Sequence, residues 1–257
     1  MPTALPHGFI ISLPEDAHRR ERLIVQIIQA GMDYTVIEGV DGRDFDVQNH
    51  PVYDAKRRHR YFGRDLLGGE LGCLLSHQKA LEAFVESNHP YGVIFEDDAV
   101  LQDNFKPCIA TLTALDTIPD LVRFIGKNKV YKTKHKILHD LGNDIKLART
   151  QGTPGGAYAY FISKAGAQKL LKHLQKIYMP VDTIMGHGWM TGIDNLITIP
   201  SPVTHAEIED TNIGDERFDK TIILSGMDKH LYPLTRGFYK LRETVMKRVY
   251  FVVRGNK

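Results

Sequence analysis

The sequence predicts an α/β fold, helices packed on a sheet, and three observations predict it. An apolar run, "GFIISL" (Gly8 to Leu13), is followed by a helix-spaced set and a second apolar run, "YTVIEGV" (Tyr34 to Val40). Strand, helix and strand within about 30 residues is the βαβ unit of an α/β sheet. Further short apolar runs, "YGVIF", "LVRFIG", "GGAYAYFIS" and "NLITI", then alternate with helical patterns. The chain has 257 residues, 42% hydrophobic and 25% charged, enough for one sizeable core in an ordinary globular protein.

Each element has its own warrant. "GFIISL" is short, apolar and bounded by turn formers, as a strand covered on both faces would be. Ser12 and Glu15 have capping-box spacing, Pro14 is tolerated in a first turn, and Leu23, Ile24, Ile27 and Ile28 recur at helical spacing until Gly31. Residues Asp41 to Arg64, with "KRRHRYFGR", read as a loop-rich excursion. "GGELGCLLSHQKALEAFVES" returns to a helix, with Leu74, Leu81 and Val85 on one stripe. Glu70 and His77, seven apart, lie along its edge, and a structural role for His77 competes with a catalytic one. "KNKVYKTKHKILHDLGNDIKLART" predicts a hairpin turning at Gly142-Asn143, because β-branched and basic residues alternate on both sides. "GGAYAYFIS" leads into a helix carrying Ala167, Leu170, Leu171 and Leu174, followed by "MPVDTIMGHGWM", the strand "NLITI" and a polar segment from His205 to Asp219. No repeat or low-complexity segment occurs.

Whole-chain features narrow the classes. No charged-then-apolar leader and no apolar run of about 18 residues is present, so the expectation is a cytoplasmic protein without a spanning helix. Cys73 and Cys108 are too few for a disulfide framework and lack Cys-x-x-Cys spacing. The net charge of +2 gives no reason to expect a nucleic-acid partner. From Arg236 to Lys257, however, seven Lys or Arg stand against one acid, Glu243, with Phe238, Leu241, Val245, Val249 and other apolar residues interleaved. This predicts a basic amphipathic appendage (216–257) after a main domain (1–215), facing either an anionic membrane surface or the domain itself.

The chemistry gathers at "GVIFEDDAVL". Glu96, Asp97 and Asp98 follow a strand, and the C-terminal ends of strands in an open α/β sheet are where ligands bind. Adjacent carboxylates repel, so a cation would relieve them. Carboxylate oxygens suit Mg²⁺ or Mn²⁺, and magnesium is commonly held by one or two carboxylates plus substrate phosphates, which fits a nucleotide-diphosphate donor. If the strand continues, Glu96 and Asp98 project to one side and Asp97 to the other. The P-loop, Gly-x-Gly-x-x-Gly, His-Glu-x-x-His and Gly-x-Ser-x-Gly patterns are absent, so the usual kinase, dehydrogenase, metalloprotease and α/β-hydrolase marks are missing.

"IISLPEDAHRRERL", "GGELGCLLSHQKALEAF", "YGVIFEDDAVL", "GTPGGAYAYFISKAGAQKLL" and "MPVDTIMGH", in that order and spacing, resemble glycosyltransferase family 25 from about residue 8 to 205. That family includes bacterial lipopolysaccharide and lipooligosaccharide galactosyltransferases and is related to collagen galactosyltransferases. The resemblance implies a GT-A-like nucleotide-sugar-binding fold with a mixed, mostly parallel sheet flanked by helices, an inverting transfer, a UDP-sugar donor and Mn²⁺ or Mg²⁺. It implies Asp98 as the main metal ligand, with Glu96 and Asp97 toward ribose, sugar or metal. Ser12 and Leu13 match the place of the uridine, and Arg19 and Arg20 an arginine pair that reaches phosphate or simply lies on the surface. Glu70, Ser76 and His77 match the family's Glu-x-Gly-Cys-x-x-Ser-His element. Asp182 matches a carboxylate suited to general base. His205 falls near a late metal ligand, against its reading as an ordinary loop residue.

In such a scheme Gly155 and Gly156 admit the sugar close to the backbone, unless they are only a strand entry. The acceptor implied is an oligosaccharide on a lipid A-linked core, at the cytoplasmic face of the inner membrane. Two other classes use similar parts: a metal-dependent hydrolase or nucleotidyltransferase, and a non-catalytic carbohydrate-binding module.

Overall fold

The structure is a computed structural model and describes residues 5–126, 131–152, 154–206, 222 and 224–255. Its N-terminal unit is the expected βαβ: β1 (His7–Ser12), α1 (Ala17–Ala30) and β2 (Tyr34–Glu38), with β1 parallel to β2 from Gly8↔Tyr34 to Ser12↔Glu38. The helix starts later than the capping-box spacing of Ser12 and Glu15 suggested. Ser12 belongs to β1, Pro14–Asp16 form a single 3₁₀ turn, and Asp16 precedes α1 without a side-chain cap. Its end is as expected: Gly31, at φ 78°, donates back to Ile28 and lets the chain turn into β2.

The segment read as a loop contains α2 (Ala55–Phe62). Asp54 caps it by accepting from the Arg57 amide at 3.0 Å, and Gly63 ends it at φ 73°. The sequence hides this helix because its buried side is made of an arginine stem and two aromatics rather than an aliphatic stripe. Arg58 is 4% exposed and donates to the Arg64 carbonyl at 3.0 Å. The next elements are α3 (Gly68–Glu86), β3 (Tyr91–Glu96), β4 (Ala99–Leu101), α4 (Phe105–Thr113) and β5 (Leu121–Arg123). The hairpin follows as β6 (His135–Gly142) and β7 (Ile145–Thr150). Its central residues are Asn143 and Asp144, both at positive φ (50° and 61°), one place later than expected. Then come β8 (Ala159–Ser163), α5 (Lys164–Lys172), α6 (Val181–Gly186), α7 (Gly188–Thr191), β9 (Leu196–Ile199), β10 (Val203–His205) and α8 (Gly226–Gly255).

Eight strands form one sheet in the order β2-β1-β3-β8-β5-β9-β7-β6, and β10 pairs with β4 apart from it. The sheet is mixed and helix-flanked as expected, but its parallel share is smaller. Parallel pairs are β1–β2, β1–β3 and β5–β9, whereas β8 runs against both β3 and β5, and β7 against both β6 and β9. One reason is the tight hairpin between β6 and β7, which forces reversal where a helical crossover would not.

Alternation along β1 builds both sides of the core. Phe9 and Ile11 join Leu71, Leu74, Leu81 and Phe84 of α3 and Leu170 of α5 on one face. Ile10 joins Leu23 and Ile27 of α1 and Phe105 and Ile109 of α4 on the other. The expected domain boundary at 215 and most of the polar segment from His205 to Asp219 lie outside the described residues. Among the described residues no helix is long and apolar enough to cross a membrane.

Candidate active site

Parallel pairing of β1 and β3 brings Ser12 and Glu96 to the same end of the sheet, the carboxyl end where a cleft opens. Antiparallel β8 starts there too, since Phe95 lies opposite Ala159. The β4–β10 pair sets His205 opposite Ala99. The resulting cleft of about 710 Å³ is lined by Ser12, Leu13, Arg19, Glu70, Ser76, His77, Glu96, Asp97, Asp98, Gly156, Asp182 and His205, among others. Of the candidate residues, Arg20 and Gly155 are not part of the lining. Arg20 braces the end of β1 from behind, donating to Ser12 Oγ and the Leu13 carbonyl at 3.3 Å each.

The acidic trio faces a protein cation. Arg19 lies 2.7 Å from Asp97 and 3.9 Å from Asp98. Asp97 does not point away as strand alternation suggested. The strand stops at Glu96, and the turn that follows swings Asp97 inward until it is 5% exposed. Its pKa is pushed up to about 6 by burial, against the lowering pull of Ser12 and Arg19. Asp98 is pushed up to about 7, again by burial first and then by Glu96. Asp98 Oδ1 is buried and has no hydrogen-bond partner among the described residues. A crowded, underpaired carboxylate of this kind fits a divalent cation, with Glu96 and His205 also lining the cleft.

His77 is fully buried, and its ring nitrogens lie 3.1 Å from Tyr160 Oη and 3.1 Å from Glu96 Oε1. Glu70 does not meet it. Glu70 accepts from the Leu67 amide at 3.0 Å and closes the first turn of α3. Ser76 accepts from the Val40 amide at 2.8 Å and ties the 39–43 loop to α3. That loop also lines the cleft and was not foreseen. Its signal lay in the glycines: a Cβ on Gly42 would stand 2.0 Å from the Gly68 carbonyl oxygen, so the loop and the start of α3 touch backbone to backbone.

Asp182 sits at the first turn of α6, and its Oδ2 accepts from the Gly156 amide at 2.9 Å. A Cβ on Gly155 would lie 3.1 Å from that oxygen, so Gly155 clears room for Asp182 rather than for a ligand. Behind both is Arg123, 1% exposed, which sequence reading missed because it lies inside an apolar strand run. It donates to the carbonyls of Pro154 at 2.7 Å, Asp182 at 3.0 Å and Gly156 at 3.5 Å. Burial holds its pKa down at about 10, with Asp182 pulling the other way.

A mixed α/β sheet thus carries at its carboxyl edge, where open α/β sheets bind ligands, a cleft with carboxylates, an arginine and an aspartate oxygen that is unpartnered among the described residues. The profile of glycosyltransferase family 25 (LPS biosynthesis protein) matches residues 5–185, and the chain belongs to that family. The probable inactive glycosyltransferase 25 family member 3 of Bos taurus is 30% identical over 190 residues, 69% of this chain and 30% of that protein. The procollagen galactosyltransferase 2 of Homo sapiens is 25% identical over 173 residues, 63% of this chain and 27% of that protein. The chain thus spans about a third of the length of the curated relatives it matches. A solved structure, the inositol-1-phosphate CTP transferase from T. maritima, superposes with a TM-score of 0.45 at 10% identity over 86% of this chain and 96% of that one.

Proposed function

We propose that this chain catalyses an inverting sugar transfer, with UDP-galactose as donor and a saccharide on a lipid A-linked core as acceptor. The observation that supports it most is the buried Asp98 Oδ1, without a partner among the described residues, beside Glu96 and Arg19 in the cleft. Asp98, Glu96 and His205 would hold Mn²⁺ or Mg²⁺, which when bound offsets the negative charge of the departing diphosphate. Ser12 and Leu13 receive the nucleoside at the end of β1. Arg19, kept in place by Asp97, adds a positive charge on the diphosphate side. Asp182 takes the proton from the acceptor hydroxyl, because its Oδ2 is fixed by the Gly156 amide while the side chain still faces the cleft.

Thermal melting with UDP, with Mn²⁺ and with both checks this reading, since a ligand that binds only the native state raises the melting temperature. The expected result is a shift with the pair that exceeds the sum of the separate shifts, lost in Asp98→Ala while the unliganded melting temperature holds or rises. Phosphate release or pyrophosphate exchange without an acceptor would point to a hydrolase or nucleotidyltransferase. Glycan binding with no response to UDP would point to a binding module.

We also propose that α8 rests on an anionic membrane surface at the cytoplasmic face of the inner membrane. Its inner side is docked: Arg236 donates to the Tyr61 carbonyl at 2.8 Å, and Tyr239 stacks on Tyr61 at 4.9 Å. Its outer side exposes Met227, Leu231, Leu234, Phe238, Leu241, Val245, Val249 and Val252, which fall within about 80° of the circumference at 100° per residue. Arg242 and Arg248 flank that stripe and form no ion pair among the described residues, while the acid Glu243 is used inward on His187 and Lys247. A coiled-coil partner would call for opposite charges along the flanks, so basic flanks favour lipid. Leu234→Ser with Phe238→Ser is expected to lower sedimentation with phosphatidylglycerol vesicles at least tenfold and to leave melting unchanged. Undiminished sedimentation would exclude this face. Truncation after Thr235 is a poorer test because it removes the buried Tyr239.

A further inference from the structure

Cys73, His77 and Glu96 bring three different donor atoms together in the cleft wall, a thiol sulfur, an imidazole nitrogen and a carboxylate oxygen, all within 4.8 Å of one another. All three residues line the cleft. The proposed transfer uses neither the thiol nor the imidazole. Cys73 and His77 are four residues apart on α3 and therefore share one face, one turn apart, and β3 ends opposite them at Glu96. His77 is oriented from behind by Tyr160 Oη on Nδ1, the outer hydrogen bond that a metal-binding histidine characteristically has.

The contact between His77 Nε2 and Glu96 Oε1, 3.1 Å, needs something positive between its lone pairs. In the cation-free protein that is a proton. A metal ion can replace it, with Nδ1–H then donated to Tyr160 and Nε2 turned toward the ion. Binding forms a metal–sulfur bond and releases the thiol proton to solvent. A set that includes a soft thiolate beside nitrogen and oxygen suits zinc, whereas a thiolate is a poor ligand for magnesium and manganese.

We propose that Cys73, His77 and Glu96 form a second cation site, selective for zinc and open on its cleft side, and that zinc there withdraws Glu96 from the donor pocket and inhibits transfer. The inhibitory half rests on the transferase reading; the binding half does not.

The test uses the full chain stripped of metal. Cobalt(II) serves as the spectroscopic probe, and zinc affinity is read by competition with a chromogenic chelator. A thiolate-to-cobalt charge-transfer band is expected in the wild type and absent in Cys73→Ser, with zinc affinity at least tenfold weaker in Cys73→Ser and in Glu96→Gln. Melting curves confirm that the variants are folded; Cys73→Ser changes one atom of a half-buried side chain and keeps the test usable if Glu96→Gln does not fold. Absence of the band, or equal zinc affinity in wild type and Cys73→Ser, overturns the site. Zinc inhibition of transfer that is equal in wild type and Cys73→Ser overturns the inhibitory half. If the wild type transfers no sugar even without zinc, the transferase reading fails, while the cobalt spectrum still decides the site.

Discussion

In the cleft, Asp97 is 5% exposed and Asp98 keeps a buried oxygen without a partner among the described residues, whereas on the outer face of α8 Met227 is 76% and Leu234 73% exposed. Charge is inside in one region and apolar surface is outside in the other. Each is the informative exception to ordinary burial, and each has a cost in the free chain. The costs differ in kind. The cleft carboxylates are destabilised by one another and by lost solvation, so a small ligand relieves them. The α8 stripe lacks an apolar neighbour among the described residues, so an extended surface would relieve it. Underpaired polar groups thus point to a chemical ligand, and underpaired apolar groups to an extended one.

The largest effect expected is on turnover. Asp182→Asn keeps an oxygen to accept from Gly156 but cannot take a proton, so kcat should fall by about 10²–10⁴-fold. The melting shift with UDP and Mn²⁺ should be unchanged, since Asp182 is not a ligand of the donor in this scheme. Transfer kinetics beside melting curves check it, and retained kcat would move the base elsewhere.

Arg123→Met sharpens the comparison within the cleft, because this buried charge serves folding where Asp98 does not. Losing its bonds to Pro154, Asp182 and Gly156 leaves carbonyl oxygens unpaired. The expected cost is about 1–3 kcal/mol, read from denaturant unfolding. Asp98→Ala measured alongside should be neutral or stabilising; an equal loss in both would erase the distinction.

The smallest effect is a pH dependence at the α8 interface. Glu243 is held down at about 2, from an ordinary 4.5, first by its hydrogen bond to His187 and further by Lys247. A depressed carboxylate adds stability that is complete above its unfolded pKa and lost as pH falls through its folded one, so α8 docking should weaken between about pH 4.5 and 2. The single tryptophan, Trp189, lies 4.2 Å from the ring of His187 and reports the change by fluorescence. Glu243→Gln should flatten that transition and leave the rest of the acid titration alone.

How far these regions were legible in the sequence follows from how local their signals are. The βαβ start, the stop at Gly31 and the acidic trio could all be read because each depends on neighbours within a turn or a strand. Helix α2 escaped because its buried face includes Arg58, and a charge does not register as core until its carbonyl partner is seen. Asp97 was given the wrong direction because alternation assumes a strand that in fact ends at Glu96. Arg123 gave no signal, since its acceptors lie 31 to 59 residues away along the chain.

By itself the sequence determined the α/β class, the acidic strand end, the basic amphipathic tail and, through its ordered motifs, the family. Only the tertiary structure decided that Arg19 meets Asp97, that Gly156 rather than Gly155 reaches the cleft, and that Cys73 and His77 face Glu96. Periodicity and caps are set by interactions within a few residues, and these a sequence displays directly. The meeting of Ser12, His77, Glu96, Asp182 and His205 is set by strand order and direction, which depend on contacts summed over the whole sheet.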